Sequence, residues 1–288
     1  MKKSLVLLLI SSLVSGLYAR QPRTVVEPPF AFRNSGTLEI ERIELAPEST
    51  TVYIQAYFRP HNWIRISSET YIRTGAEGEK LTVRSADGMP LDTEFYMPET
   101  GRHDFSLSFP PVDPKTAKID LIESDCPDCF KIYDIDLTGK KAKPGRSALA
   151  KKYKKAAPLT ENFTAPVVSD SPARIAGAIT GYDPRFFDRI EIAFYSPIVG
   201  DGATELSVPV REDGSFETGL NILTPIRGML FLPGFVTLPF YAEPGRETAL
   251  EIDLGAVYRK TSVFKELHPQ TSPVAYYGEL GRVNEELA

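Results

Sequence analysis

"TVYIQAYF", residues 51–58, alternates apolar and polar positions without interruption. Val52, Ile54, Ala56 and Phe58 fall on one face, and Tyr53, Gln55 and Tyr57 on the other. A period of two is the repeat of a pleated strand, in which successive side chains leave opposite sides of the sheet, so this stretch predicts a strand with one face on a core. Working outward, "WIRIS" (63–67), "KLTVRS" (80–85), "HDFSLSF" (103–109), "AKIDLIE" (117–123) and "FKIYDIDL" (130–137) read the same way, and "ADGM" (86–89) and "PETGR" (98–102) supply turn chemistry between them. About eight strands in roughly 100 residues, with no helical period among them, predict a β-sandwich over 37–139.

Residues 21–36 read as an extended, proline-marked lead-in. A second strand series begins at Ala173: "ARIAGAITGY", "DRIEIAFY", "ELSVPV", "SFETGLNI", "GMLFLP", "VTLPFYAE" and "TALEIDL". "EDGS" (212–215) is a hairpin signal, because Gly214 tolerates the positive φ of a tight turn. The apolar run "GMLFLPGFVTLPFY" belongs in a core; Pro233, Gly234 and Pro239 interrupt it as a membrane helix. The expected architecture is therefore all-β: two β-sandwich domains in series, the second over 173–256. A short C-terminal helix begins within 274–288, where Leu280, Val283 and Leu287 stand at helical spacing.

The chain of 288 residues is 42% hydrophobic and 25% charged, a globular composition, and its 24 prolines agree with a fold rich in turns. Residues 1–19 read as a secretory signal peptide: Lys2 and Lys3 precede an apolar run from Leu5 to Ile10, with a cut after Ala19. The apolar run is too short to span a bilayer, and no cysteine follows it to accept a lipid anchor. Removing the two lysines lowers the formal net charge of −5 by a further 2, to −7, which argues against a generic nucleic-acid binder. Residues 140–172 read as a basic linker. Eight of the positions 140–155 are Lys or Arg and none is acidic, so a solvated segment with a short helix over 147–155 is preferred to a patch for an anionic partner. "NFT" (162–164) matches a glycosylation acceptor, a signal of little weight beside a bacterial leader.

The only two cysteines, Cys126 and Cys129, form a C-x-x-C in "ESDCPDCFKIYDIDL". A redox-active pair needs its first thiol at a helix N-terminus, where exposed N–H groups stabilise the thiolate. Here strand-like text stands on both sides, and Asp125 and Asp128 would raise the thiol pKa values. A structural disulfide or dithiol on a turn is the preferred reading; a redox centre and half of a zinc site stay open. His61, His103 and His268 are scattered, so no metal site is expected. With no nucleophile-elbow G-x-S-x-G and no phosphate-cradling loop, no catalytic residue and no cofactor are expected. Glu243/Glu247 and Asp183/Asp188 read as solvated carboxylates in turns. Trp63, the one tryptophan, is expected in the core; exposed beside Arg65, it would serve ligand stacking, with Tyr182 as the second candidate contact.

"NWIRISSETYI", "LTVRSADGMPLDTEFYMPETG", "DFSLSFPP" and "DLIESDCPDCFKIYDIDLT" together resemble the N-terminal extension of exported thiol-disulfide oxidoreductases of the TlpA/thioredoxin-like class. "IAGAITGYDPRFFDRIEI", "VREDGSFE" and "LPFYAEPGRETALEIDL" are similar to the small β-sandwich module that often precedes the thioredoxin domain, and "YYGELGRVNEEL" to the helix after it. The resemblance, over 38–288, implies a periplasmic or envelope location in a Gram-negative bacterium. It places the catalytic W-C-x-x-C in a C-terminal domain that these residues do not include, and matches Cys126 and Cys129 to the extension's own pair. The leading expectation is an exported, non-catalytic module that binds or positions a protein partner or a thioredoxin-like domain, without spanning the membrane. The alternatives are a redox protein acting through Cys126 and Cys129, and a glycan-binding module using Trp63 or Tyr182.

Overall fold

The computed structural model describes residues 22–127, 129–139, 168–196, 202–234, 236–265 and 272–287. The signal peptide, nearly all of the basic linker, Asp128 and His268 lie outside the described residues. Among the described residues the fold is all-β, with two short helices.

Strands β1 (Arg23–Val26), β2 (Phe32–Arg33), β3 (Leu38–Leu45), β4 (Thr50–Tyr57), β5 (Trp63–Ile64), β6 (Tyr71–Arg73), β7 (Leu81–Thr82), β8 (Ser85–Asp87), β9 (Phe95–Tyr96), β10 (Arg102–Phe109), β11 (Lys118–Ile122) and β12 (Lys131–Asp136) form the first unit. One sheet runs β1-β3-β4-β10-β8 and the other β2-β12-β11-β6-β7, while β5 and β9 make a separate two-stranded ribbon. Ile43, Val52, Ile54, Leu107 and Phe109 of the first sheet close on Ile72, Ile119, Leu121 and Ile135 of the second. The alternation in β4 is realised at Val52, Ile54 and Ala56, all buried. Phe58 lies beyond the end of the strand, where its N–H donates to Gly101 O, and its side chain is exposed rather than on the core face. The proline-marked lead-in is part of this unit: β1 pairs with β3 and β2 with β12.

The second unit contains β13 (Ala173–Thr180), β14 (Arg189–Tyr195), β15 (Ala203–Pro209), β16 (Ser215–Leu220), β17 (Ile226–Leu232), β18 (Val236–Ala242), β19 (Glu247–Asp253) and β20 (Val274–Tyr277), with α1 (Leu254–Thr261) and α2 (Gly281–Leu287). Its sheets run β16-β13-β19-β20 and β15-β14-β17-β18. The turn at "EDGS" is present, with Gly214 at φ 79° and its N–H bonded to Arg211 O. It is a corner rather than a hairpin, since β15 and β16 belong to opposite sheets. The run through β17 and β18 is a hairpin closed at Pro233–Gly234 whose residues alternate, so Met229 and Phe231 face solvent while Leu230 and Leu232 are buried. Helix α1 was not expected from the sequence; Asp253 caps it by accepting from Ala256 N. In α2 the buried residues are Gly281 and Asn284, whereas Leu287 is exposed, because the Asn284 amide pairs with the backbone N–H and C=O of Tyr241.

The two units share one hydrophobic cluster. Phe32, Tyr71, Ile122 and Tyr133 point away from the first core and join Phe186, Val257 and Tyr258 of the second unit. Strand β11 is thus buried on both faces, which explains why its last four residues read as a continuous buried run.

Candidate functional site

Three places carry chemistry. The first is the connection between β11 and β12. Cys126 and Cys129 form a disulfide there, with Cα atoms 5.3 Å apart. The strand text on both sides is realised as β11 and β12, so among the described residues no helix begins at the cysteines to supply a dipole that would activate a thiolate. The Cys126 side is exposed and the Cys129 side half-buried. Asp125 accepts from Lys80 Nζ at 2.7 Å and from Tyr71 Oη at 2.9 Å. Its carboxyl is held below the usual range, chiefly by the Lys80 hydrogen bond. Burial, reinforced by Asp125, pushes the Tyr71 hydroxyl up to about 12. On the other side of the bridge, Asn34 Nδ2 donates to Cys129 O at 2.8 Å, and Asn34 Oδ1 accepts from Lys131 N at 2.8 Å. The tip is therefore tied both to β6 and to the end of β2.

The second place is the β5–β9 ribbon. Trp63 is 47% exposed, which corrects the expectation of a core tryptophan. The physical reason is register: Trp63 stands directly opposite Tyr96, itself 61% exposed, so both rings leave the same face of the ribbon while Ile64 takes the buried side. Tyr96 Oη donates to Glu94 Oε2 at 2.9 Å, and that hydrogen bond raises the phenol pKa. His61, at φ 62°, lies at the entrance to the ribbon with Nε2 3.9 Å from Glu99. That Tyr96 is the partner of Trp63 was not legible in the sequence, because neither segment by itself carries which strand it pairs with.

The third place is the junction of the two units. Tyr182, the other candidate contact, packs edge-on against Phe187 at 5.2 Å, and its hydroxyl donates to Phe187 O. It is a half-buried packing residue, and burial raises its pKa. It lies in the second unit, packed against the shared cluster, whereas Trp63 belongs to the β5–β9 ribbon of the first. Nearby, Asp120 is 1% exposed and fully engaged: Oδ2 accepts from Arg73 Nε at 3.2 Å and Arg185 Nη1 at 3.1 Å, and Oδ1 accepts from Asp134 N at 3.0 Å. A bulge in β12 opposite Asp120 puts Asp134 at φ 55° and aims its carboxylate at Arg185 Nη2 (3.1 Å) and Lys118 Nζ (2.9 Å). Asp183 also chelates Arg185, which lowers the Asp183 carboxyl and raises the guanidinium. Beside this network a cleft of about 230 Å³ is lined by Phe30, Lys118, Asp134, Asp136, Asp253 and Arg259. Asp183, expected as a solvated carboxylate, is half-buried and ion-paired with Arg185, whereas Asp188 is solvent-exposed as expected, in a surface pair with Arg189. Among the described residues no group of His, Cys, Asp and Glu is arranged to hold a metal ion, and no helix is long and apolar enough to cross a membrane.

No family model matches the chain, and no curated protein matches it. Among solved structures, a match is pullulanase type I from Bacillus subtilis str. 168 in complex with maltose, at 8% identity and a TM-score of 0.25. It covers 66% of this chain, while the chain spans 23% of the pullulanase. A likeness this slight carries no argument about fold or function.

Proposed function

We propose that this chain is an exported, non-catalytic binding module of a bacterial cell envelope that holds a protein partner through the β5–β9 ribbon. The observation that carries the reading is the solvent-facing pair of Trp63 and Tyr96 on one face of that ribbon. Large aromatic side chains left exposed side by side are unusual on a surface without a partner, and they supply contact area at low conformational cost. The Cys126–Cys129 disulfide supports a compartment in which such bonds persist. The test is a photo-crosslinking residue placed at position 63, compared with the same residue at exposed Tyr195 in the second unit. A discrete adduct from position 63, lost in Tyr96→Ala, is the expected result. Equal labelling from both positions, or none from 63, would sink the reading.

A glycan ligand is the second reading, favoured by the same two rings, since the apolar face of a sugar stacks on aromatic side chains. Affinity electrophoresis in soluble polysaccharide separates the two: retardation abolished by Trp63→Ala assigns the ribbon to a sugar rather than a protein. The redox reading rests on the exposure of Cys126. Turnover in an insulin-reduction assay, lost in Cys126→Ser, would establish it and overturn the non-catalytic assignment.

A further inference from the structure

The disulfide hairpin touches the junction of the two units through a short, continuous path. Cys129 O and Lys131 N are both held by the Asn34 side chain, and Asn34 N donates to Lys131 O at 3.2 Å. Asn34 directly follows β2, whose two residues both contact the second unit. Phe32 stacks on Phe186 at 5.1 Å and meets the Tyr258 edge at 5.3 Å. Arg33, 2% exposed, pairs with Glu39 at 2.7 Å and donates to Thr261 O at 3.3 Å. Glu39 in turn accepts from Ser262 Oγ at 3.0 Å and Val263 N at 3.2 Å, just past α1. The β17–β18 turn lies on the same backbone, for a Cβ added at Gly234 would stand 2.9 Å from Arg33 O. The strands flanking the cysteines reinforce the link, because Ile122 and Tyr133 both enter the shared cluster.

We infer that Cys126–Cys129 is a thiol-exchange site whose oxidised form clamps the two units together by holding Asn34, and so β2, in place. The inference is independent of what the β5–β9 ribbon binds. The reacting reductant is a dithiol, such as the paired cysteines of an exported thiol-disulfide protein. Its thiolate attacks Cys126 Sγ, the exposed sulfur; the Sγ–Sγ bond breaks and Cys129 leaves as a thiolate that takes up a proton. The second thiol of the reductant then attacks the mixed disulfide, releasing Cys126 as a thiol, and the reductant becomes a disulfide. Two electrons and two protons pass to the chain. With the bridge open, the tip no longer fixes Cys129 O, and Asn34 loses the acceptor that anchors it.

Hydrogen exchange of the full chain, read by mass spectrometry or NMR before and after dithiothreitol, tests this. The amides of Asn34, Lys131 and Val263 are expected to exchange about tenfold faster after reduction, the effect of weakening one hydrogen-bonded anchor. The amides of β3 and β4 are expected to stay unchanged. Asn34→Ala in the oxidised protein should reproduce the acceleration at Lys131 and Val263 without any reductant. Four outcomes overturn the inference: a bridge that resists dithiothreitol until the protein unfolds, acceleration confined to 123–131, acceleration that reaches β3 and β4, or an Asn34→Ala variant that leaves Val263 protected.

Discussion

Arg33 and Glu39 are each 2% exposed and in direct contact, so neither charge has water to turn to. Removing one partner from such a pair strands the other. Glu39→Ala is expected to destabilise the protein by about 3–5 kcal/mol, measured by urea denaturation, whereas Glu44→Ala, in a half-exposed pair with Arg42 that water still reaches, should cost about 1 kcal/mol. The sequence announced neither role, since both glutamates stand in the same strand "LEIERIEL". Asp183 provides a pH signature. Arg185 holds its carboxyl below the ordinary value of 3.8. A carboxyl depressed in the folded state contributes stability above its unfolded value and loses it as pH falls through the folded one. Asp183→Asn should therefore flatten the pH dependence of stability below about pH 4, and leave its slope near neutrality unchanged. Thermal melts at a series of pH values measure it.

At the level of strands, two glycines are placed by aromatic partners. Gly177 stands opposite Phe216, and Gly228 opposite Phe240, and in each case a Cβ would lie within 2.3 Å of the ring. The rings lie across the glycines and fill the space between the two sheets of the second unit. Gly177→Ala is expected to cost about 1–3 kcal/mol through overpacking, and combining it with Phe216→Leu should recover part of the loss. Chemical denaturation of the single and double variants shows whether the two effects couple. Helix α2 plays a different part: Asn284 binds both Tyr241 N and Tyr241 O, occupying the edge of β18 as a strand would. Asn284→Ala leaves Tyr241 N without its partner and Tyr241 O with only the Thr248 hydroxyl, and should lower stability by about 1–3 kcal/mol, read as a fall in thermal midpoint.

Across the whole molecule, the shared cluster makes the two units depend on each other. Phe32→Ala removes a ring that is 1% exposed and touches Phe186, Phe187, Tyr133 and Tyr258. The expected loss is about 3–5 kcal/mol, together with the separation of one calorimetric transition into two. A single transition at a lower temperature would mean that the units still unfold together and that Phe32 is not what joins them.

The all-β class was legible because alternation in "TVYIQAYF", "HDFSLSF" and "FKIYDIDL" depends only on the pleat of a strand, a property that each segment carries locally. The disulfide turn was legible for the same reason, since strand text on both sides of "CPDC" leaves no room for an activating helix. Other features depend on residues far apart in the chain. Trp63 is exposed because of its register with Tyr96, 33 positions later. The corner at "EDGS" differs from a hairpin only in where its two strands go. Helix α1 is eight residues long and was hidden behind "TALEIDL", and its buried face exists because the first unit packs beside it. Local periodicity thus determined which segments are strands and where turns fall. The docking of the two units, the burial of Arg33, Glu39 and Asp120, and the exposure of the aromatic ribbon followed from tertiary packing alone, because burial is set by which surfaces meet and a single segment does not encode its neighbour.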